Sequence, residues 1–343
     1  MVDNEFYLLS KYRTKLMGLA MLLIMIFHTS IELSEIPFIE SIKNIGDIGV
    51  DIFFLLSGMG LYFSYFKNNN KNHFYKNRIR RIIPTFLPVA IVWYTSFTIV
   101  FKGSFLDILL GVTTLGFWLD KNFNWWFISV ILVLYLITPY YIDWIKNKPR
   151  QCTLIIVILS IIVGLIIRFS YLDKRLDYLL IFINRIPIFI IGIYLGYVLL
   201  DTSNTKNIKL TSIYIFSIIG FIISILIVNP DIIYIPFALK YYAYIPLSVG
   251  VCIFFANLFN ITKNIIINYI FTFLGTYSLE IYLFHEKILW LLSYTKKFII
   301  FDKYNIIINI VAVLLTVLIS YTWKNIINKY VILKNNRVMK RAY

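Results

Sequence analysis

The stretch MLLIMIFHTSIELSE, residues 21–35, decides the fold. It belongs to an apolar run that reads as helix in lipid, yet it carries a titratable ring, His28, and an acid one turn further on, Glu32. Similar apolar runs of about 20 residues, the length that crosses a bilayer as an α-helix, recur along the chain. The whole sequence of 343 residues is 60% hydrophobic, with a mean hydropathy of +0.79, well above ordinary soluble domains. Hydrocarbon offers backbone groups no partners, so these runs must satisfy themselves as helices. Strand-like alternation with Gly-rich turns is absent, which argues against a membrane β-barrel.

Ten spans are expected, near 16–33, 48–66, 82–101, 124–143, 152–169, 179–200, 210–228, 232–258, 268–294 and 304–330. The chain is therefore expected to be an all-α, polytopic membrane protein, one integral domain over 1–343 with a short basic tail at 331–343. Cytoplasmic loops hold an excess of Lys and Arg. With the N-terminus inside, the inner segments carry 21 of the 33 basic residues, so both termini are expected in the cytoplasm and the cell membrane is the expected location. The net charge of +16 then follows from basic loops resting on anionic inner-leaflet lipid. No aromatic-basic surface module points to nucleic acid. The first span is long enough to stay as an anchor, so no cleaved signal peptide is expected. Cys152 and Cys252 lack metal spacing and support neither a disulfide nor a thiol nucleophile; no metal site is expected. The outer connection 102–123, with LDILLGVTTLGF, is expected to lie along the interface or dip into the membrane.

Several polar residues stand out against this background. His28, about 18 Å along the first span at 1.5 Å per residue, is expected to be neutral, because burial disfavours imidazolium, and so able to accept a proton. It also reads as a hydrogen-bonded packing residue. Glu32 could orient it or mark the water boundary. In GDIGVDIFFLLSGMGLYFSY, residues 46–65, Asp51 sits near the outer end of a span, and Ser57, Gly58 and Gly60 permit close helix approach. RIRRIIPTFLP, residues 78–88, brings Arg78, Arg80 and Arg81 to the inner mouth of the third span. These arginines fit positive-inside anchoring and equally a forked-donor site for phosphates. In FNWWFISVILVLYLITPYY, Trp125 and Trp126 read as an interfacial belt. Arg185, a few residues inside its span, must snorkel, face a cavity or pair with an acid such as Asp51. GTYSLEIYLFHEK, residues 275–287, places Glu280 and His285 five apart, on different faces of one helix.

Taken together, AMLLIMIFHTS, GVDIFFLLSG, RIRRIIP, WWFISVILVLYLITP, RIPIFIIGIYLG and SLEIYLFH, in this order over nearly the whole chain, resemble the acyltransferase-3 family of bacterial integral-membrane O-acyltransferases. The resemblance implies a ten-helix bundle that takes an acyl group, usually acetyl from acetyl-CoA as co-substrate, to a hydroxyl of an exported or surface glycan. It implies His28 as the catalytic histidine and an inner basic site that includes Arg78 and Arg81, while Asp51, Trp126, Arg185 and His285 match further motif positions. Family members usually carry Arg or Lys eleven residues before the histidine, where this chain has Met17. Either Lys15 reaches up from below, or the donor is held differently. Some relatives continue into an extracytoplasmic hydrolase-like domain; none is expected here, so the protein would act alone or pass the group to a glycan-export partner. Two other readings use the same residues: a carrier for a small metabolite or lipid-linked sugar, with the buried charges as its pathway, and a non-catalytic scaffold of an export complex.

Overall fold

The computed structural model describes residues 5–31, 36–170, 176–200, 210–229, 239–295 and 305–340. The described residues form helices and connecting turns without strands. Among the described residues, eight helices are long and apolar enough to cross a membrane, and nine if the bent pair α13 (Ile265–Thr276) and α14 (Ser278–Thr295) is one span. The expected count of about ten is not reached on this criterion. The shortfall lies at the first span, where α2 (Arg13–His28) has 16 residues, below a full crossing. It stops early because the backbone turns extended at Thr29, whose hydroxyl donates to the Ile26 carbonyl. His28 is thus the last residue of its helix rather than a mid-helix residue of a longer one.

The most enclosed element is α4 (Ile48–Asn68), with 14 of its 21 residues buried. It packs most extensively against α10 (Asp177–Leu200), and then against α2 and α12 (Lys240–Ile261). With no hydrophobic drive between helices in lipid, close packing has to hold them. Small residues make that contact possible: a Cβ at Gly58 would strike the Phe189 carbonyl, and one at Gly192 would strike the Leu55 carbonyl. The outer helices differ. Only 17% of the apolar window of α9 (Pro149–Phe169) is buried, and 22% of those of α11 (Leu210–Val228) and α15 (Asn305–Lys340). Their exposed Ile, Leu, Val and Phe side chains far exceed what a water-soluble surface carries, and they form the lipid-facing wall.

Two elements place the site. Helix α5 (Lys71–Phe101) starts at the basic loop, with the Asn70 side chain accepting from the His73 N–H. The connection 102–123 folds into α6 (Phe105–Val112) and α7 (Gly116–Leu119). Ser104 and Asp107 cap α6 reciprocally, and Phe105, Leu106 and Leu109 are exposed, as an interfacial helix requires. The break between α13 and α14 bends the chain by 80° at Tyr277. Helix α14 then runs between α15 and α2, bringing a second polar stretch beside His28.

Candidate active site

Helix α2 carries the site from end to end. Arg13, Met17 and Ile24 share a face that lines a narrow cleft of about 60 Å³, together with Arg78, Arg81, Ser57, Tyr135 and Tyr282. Arg13 is one turn before Met17, on the same face. Its Nε donates to the Leu56 carbonyl at 2.9 Å, and a Cβ at position 60 would press on its guanidinium, so Gly60 makes its room. Lys15 points to another face and donates to Asn268 Oδ1 at 2.6 Å; it does not line the cleft. Arg80 is exposed and lies outside it. Arg78 Nη2 donates to Ser64 Oγ at 3.2 Å and stands over the Phe74 ring. Three guanidiniums at one mouth make a concentrated cationic site suited to phosphate oxygens.

At the opposite end of α2, His28 Nε2 lies 3.4 Å from Glu286 Oε1 of α14. The His28 ring meets that of His285 edge-on, with centroids 5.1 Å apart. His285 is 1% exposed, and its Nδ1 donates to the Tyr282 carbonyl at 2.8 Å and approaches that of Ile281 at 3.2 Å. Carbonyls only accept, so Nδ1 is assigned the proton. A second cavity, of about 230 Å³, opens on this cluster and is lined by His28, Ser30, Glu286, Trp290 and Asn309. The first cleft touches Ser278, Leu279 and Tyr282 of α14, the second Glu286, Leu289 and Trp290. The two spaces therefore follow one another along α14, with His285 between them.

The remaining expected residues fall elsewhere. Asp51 of α4 and Arg185 of α10 form a buried ion pair. The guanidinium lies over the rings of Tyr241, at 4.3 Å, and Trp126, at 5.6 Å. Neither charge lines either cavity. A second pair, buried Lys240 with half-buried Asp47 at 2.8 Å, lies alongside, and the Tyr244 hydroxyl donates to the same carboxylate at 2.6 Å. Together they tie α4 to α10 and α12. Glu280 faces Lys324 at 3.5 Å, away from His285. Glu32 lies outside the described residues. Trp125 is not part of an interfacial belt: it is 2% exposed, with Nε1 donating to the Leu283 carbonyl at 3.1 Å.

Three groups of the site escaped the sequence reading. Glu286 follows His285 directly in the quoted motif, and an acid in an apolar helix was a visible signal. Lys287, buried against the Trp93 and Trp125 rings at 4.8 and 5.1 Å and bonded to Asn124, was equally visible. Arg13 carries the third signal, its helical phase: it lies four residues before Met17 and so on the same face.

Residues 16–323 match the sequence profile of a family described as an acyltransferase domain. No curated protein and no solved structure matches the chain.

Proposed function

The chain belongs to the acyltransferase-3 family, and from that premise we propose that it moves an acyl group, with acetyl-CoA as donor, onto a hydroxyl of an exported or cell-surface glycan at the cytoplasmic membrane. That it is a multi-pass membrane acyltransferase follows from the family and the apolar helices. The finer reading is carried by one observation: a triple-arginine cleft and a histidine–carboxylate pair occupy the two ends of the same helix, α2.

In this reading the phosphates of the donor rest on Arg13, Arg78 and Arg81 at the cytoplasmic end. Its thin pantetheine arm follows the cleft past Ser57 and Phe127 towards Tyr282, and the acceptor hydroxyl enters from the cavity at Ser30, Trp290 and Asn309. His28 takes the hydroxyl proton while the oxygen attacks the thioester carbonyl. The carbon–sulfur bond then breaks, and the thiolate leaves and recovers that proton from the imidazolium. Glu286 holds the ring and offsets its charge during the step, the orienting role of a carboxylate beside a base. Ser57, which lines the cleft, is the candidate donor to the developing oxyanion, since Arg185 is committed to Asp51 and lines neither cavity.

Purified protein tests this directly. With acetyl-CoA and an acceptor glycan, the wild type releases CoA and forms an alkali-labile ester, whereas His28→Ala does neither while still binding CoA. Ester formation by a properly inserted His28→Ala protein would reject the assignment, and substrate uptake into vesicles with no CoA release would favour a carrier.

A further inference from the structure

The His28, His285 and Glu286 side chains hold more chemistry than a single base needs. One donor atom from each can be chosen so that all three lie within 4.8 Å of one another. The His28 Nε2 to Glu286 Oε1 distance of 3.4 Å is close to the spacing of about 3.3 Å between neighbouring ligands of a tetrahedral zinc ion. The second observation concerns His285. Its Nδ1 proton is committed to the Tyr282 carbonyl, so its lone pair is on Nε2, and that atom is buried without a hydrogen-bond partner. A backbone carbonyl fixing the far nitrogen is how metal-ligating histidines are generally oriented. An unsatisfied buried acceptor is costly, and a cation would satisfy it. The set of two imidazoles and one carboxylate suits zinc-class ions and not magnesium, which takes oxygen ligands and keeps its waters. The cavity beside His28 and Glu286 supplies an entry path and a position for a fourth ligand.

The geometry points to a binding site for a zinc-class divalent cation at His28, His285 and Glu286, whose occupation switches acyl transfer off. Coordination consumes the imidazole lone pair that otherwise receives the hydroxyl proton. Binding stands on the geometry alone; the inhibitory consequence rests on His28 acting as the base.

The test uses full-length protein in detergent, stripped with chelator and titrated with Zn2+ or Co2+. Bound metal is measured by elemental analysis and by the visible absorption of Co2+, and CoA release is followed in parallel. The expected result is about one ion per chain, with affinity weakened at least ~10-fold by His285→Gln and by Glu286→Gln and unaffected by excess Mg2+. Zn2+ abolishes CoA release, chelator restores it, and the stripped protein is fully active. His285→Gln resists zinc inhibition. No stoichiometric binding, or binding unchanged in both variants, would overturn the site. A stripped enzyme that needs zinc for activity would overturn the inhibitory role. Stoichiometric binding by a protein that releases no CoA with any acceptor would leave the site standing and remove the transferase reading instead.

Discussion

At the scale of single residues, the site depends on which face of α2 each side chain takes. Arg13 reaches the cleft and Lys15 does not, because two residues turn a helix by about 200° and four bring it back to nearly the same face. Arg13→Met should therefore weaken CoA binding, measured by calorimetry or filter binding, by about 10-fold, the loss of one charge-assisted phosphate contact of roughly 1.5 kcal/mol, and Lys15→Met should leave it unchanged. Glu286→Gln keeps the size of the side chain but removes the charge beside His28. Its CoA release rate should fall by about 10- to 100-fold with little change in donor affinity, a split read from kcat against KM. Equal loss in both constants would make Glu286 a packing residue. Asp51 has a different role. Asp51→Asn leaves Arg185 as an uncompensated buried charge, which costs about 3–5 kcal/mol. Its signature is a lowered melting temperature in detergent that an added Arg185→Gln partly repairs.

At the scale of helices, the sequence was legible where one residue type dominates and opaque where the answer depends on neighbours. Nearly every expected span coincides with a helix, because about 20 apolar residues have few other options in lipid. The first and ninth depart from expectation for local reasons: Thr29 ends α2 early, and the chain bends at Tyr277 to separate α13 from α14. That bend sets the register of α14, so the pairing of His285 and Glu286 with His28, more than 250 positions away in the chain, could not be read from spacing along one helix. Pairing with Asp51 is one of three options the sequence leaves for Arg185, beside snorkelling and a polar cavity, and it is the ion pair that the helices form. The α4–α10 seam also carries an element-scale prediction. Gly192→Val drives a side chain into the Leu55 backbone, and a backbone contact cannot rotate away, so the loss should equal or exceed the about 1–3 kcal/mol usual for overpacking. It is measured as reduced thermal stability and yield. A variant as stable as wild type would show that the two helices are not in the contact described.

At the scale of the whole molecule, two spaces of different character lie one after the other along α14, with His285 between them. One is a cleft with arginines at its mouth, the other a cavity with Ser30, Asn309 and Trp290 around it. Such an arrangement suits a reaction whose donor and acceptor arrive from opposite sides of a membrane, which avoids moving either polar molecule through hydrocarbon. The proposed orientation puts the arginine end in the cytoplasm, in line with the excess of basic residues in those loops. In a Cys152→Ser background, Asn69→Cys should then react with a membrane-impermeant maleimide only from the cytoplasmic side and Lys121→Cys only from outside. The reverse pattern would invert the proposed direction of transfer.

The measurement that bears most directly on the central claim compares His28→Ala with wild type, both shown by calorimetry to bind CoA, for ester formation on an acceptor glycan. A histidine base acting between the two spaces predicts intact donor binding and a loss of transfer of about 10²- to 10⁴-fold; transfer at the wild-type rate would contradict it.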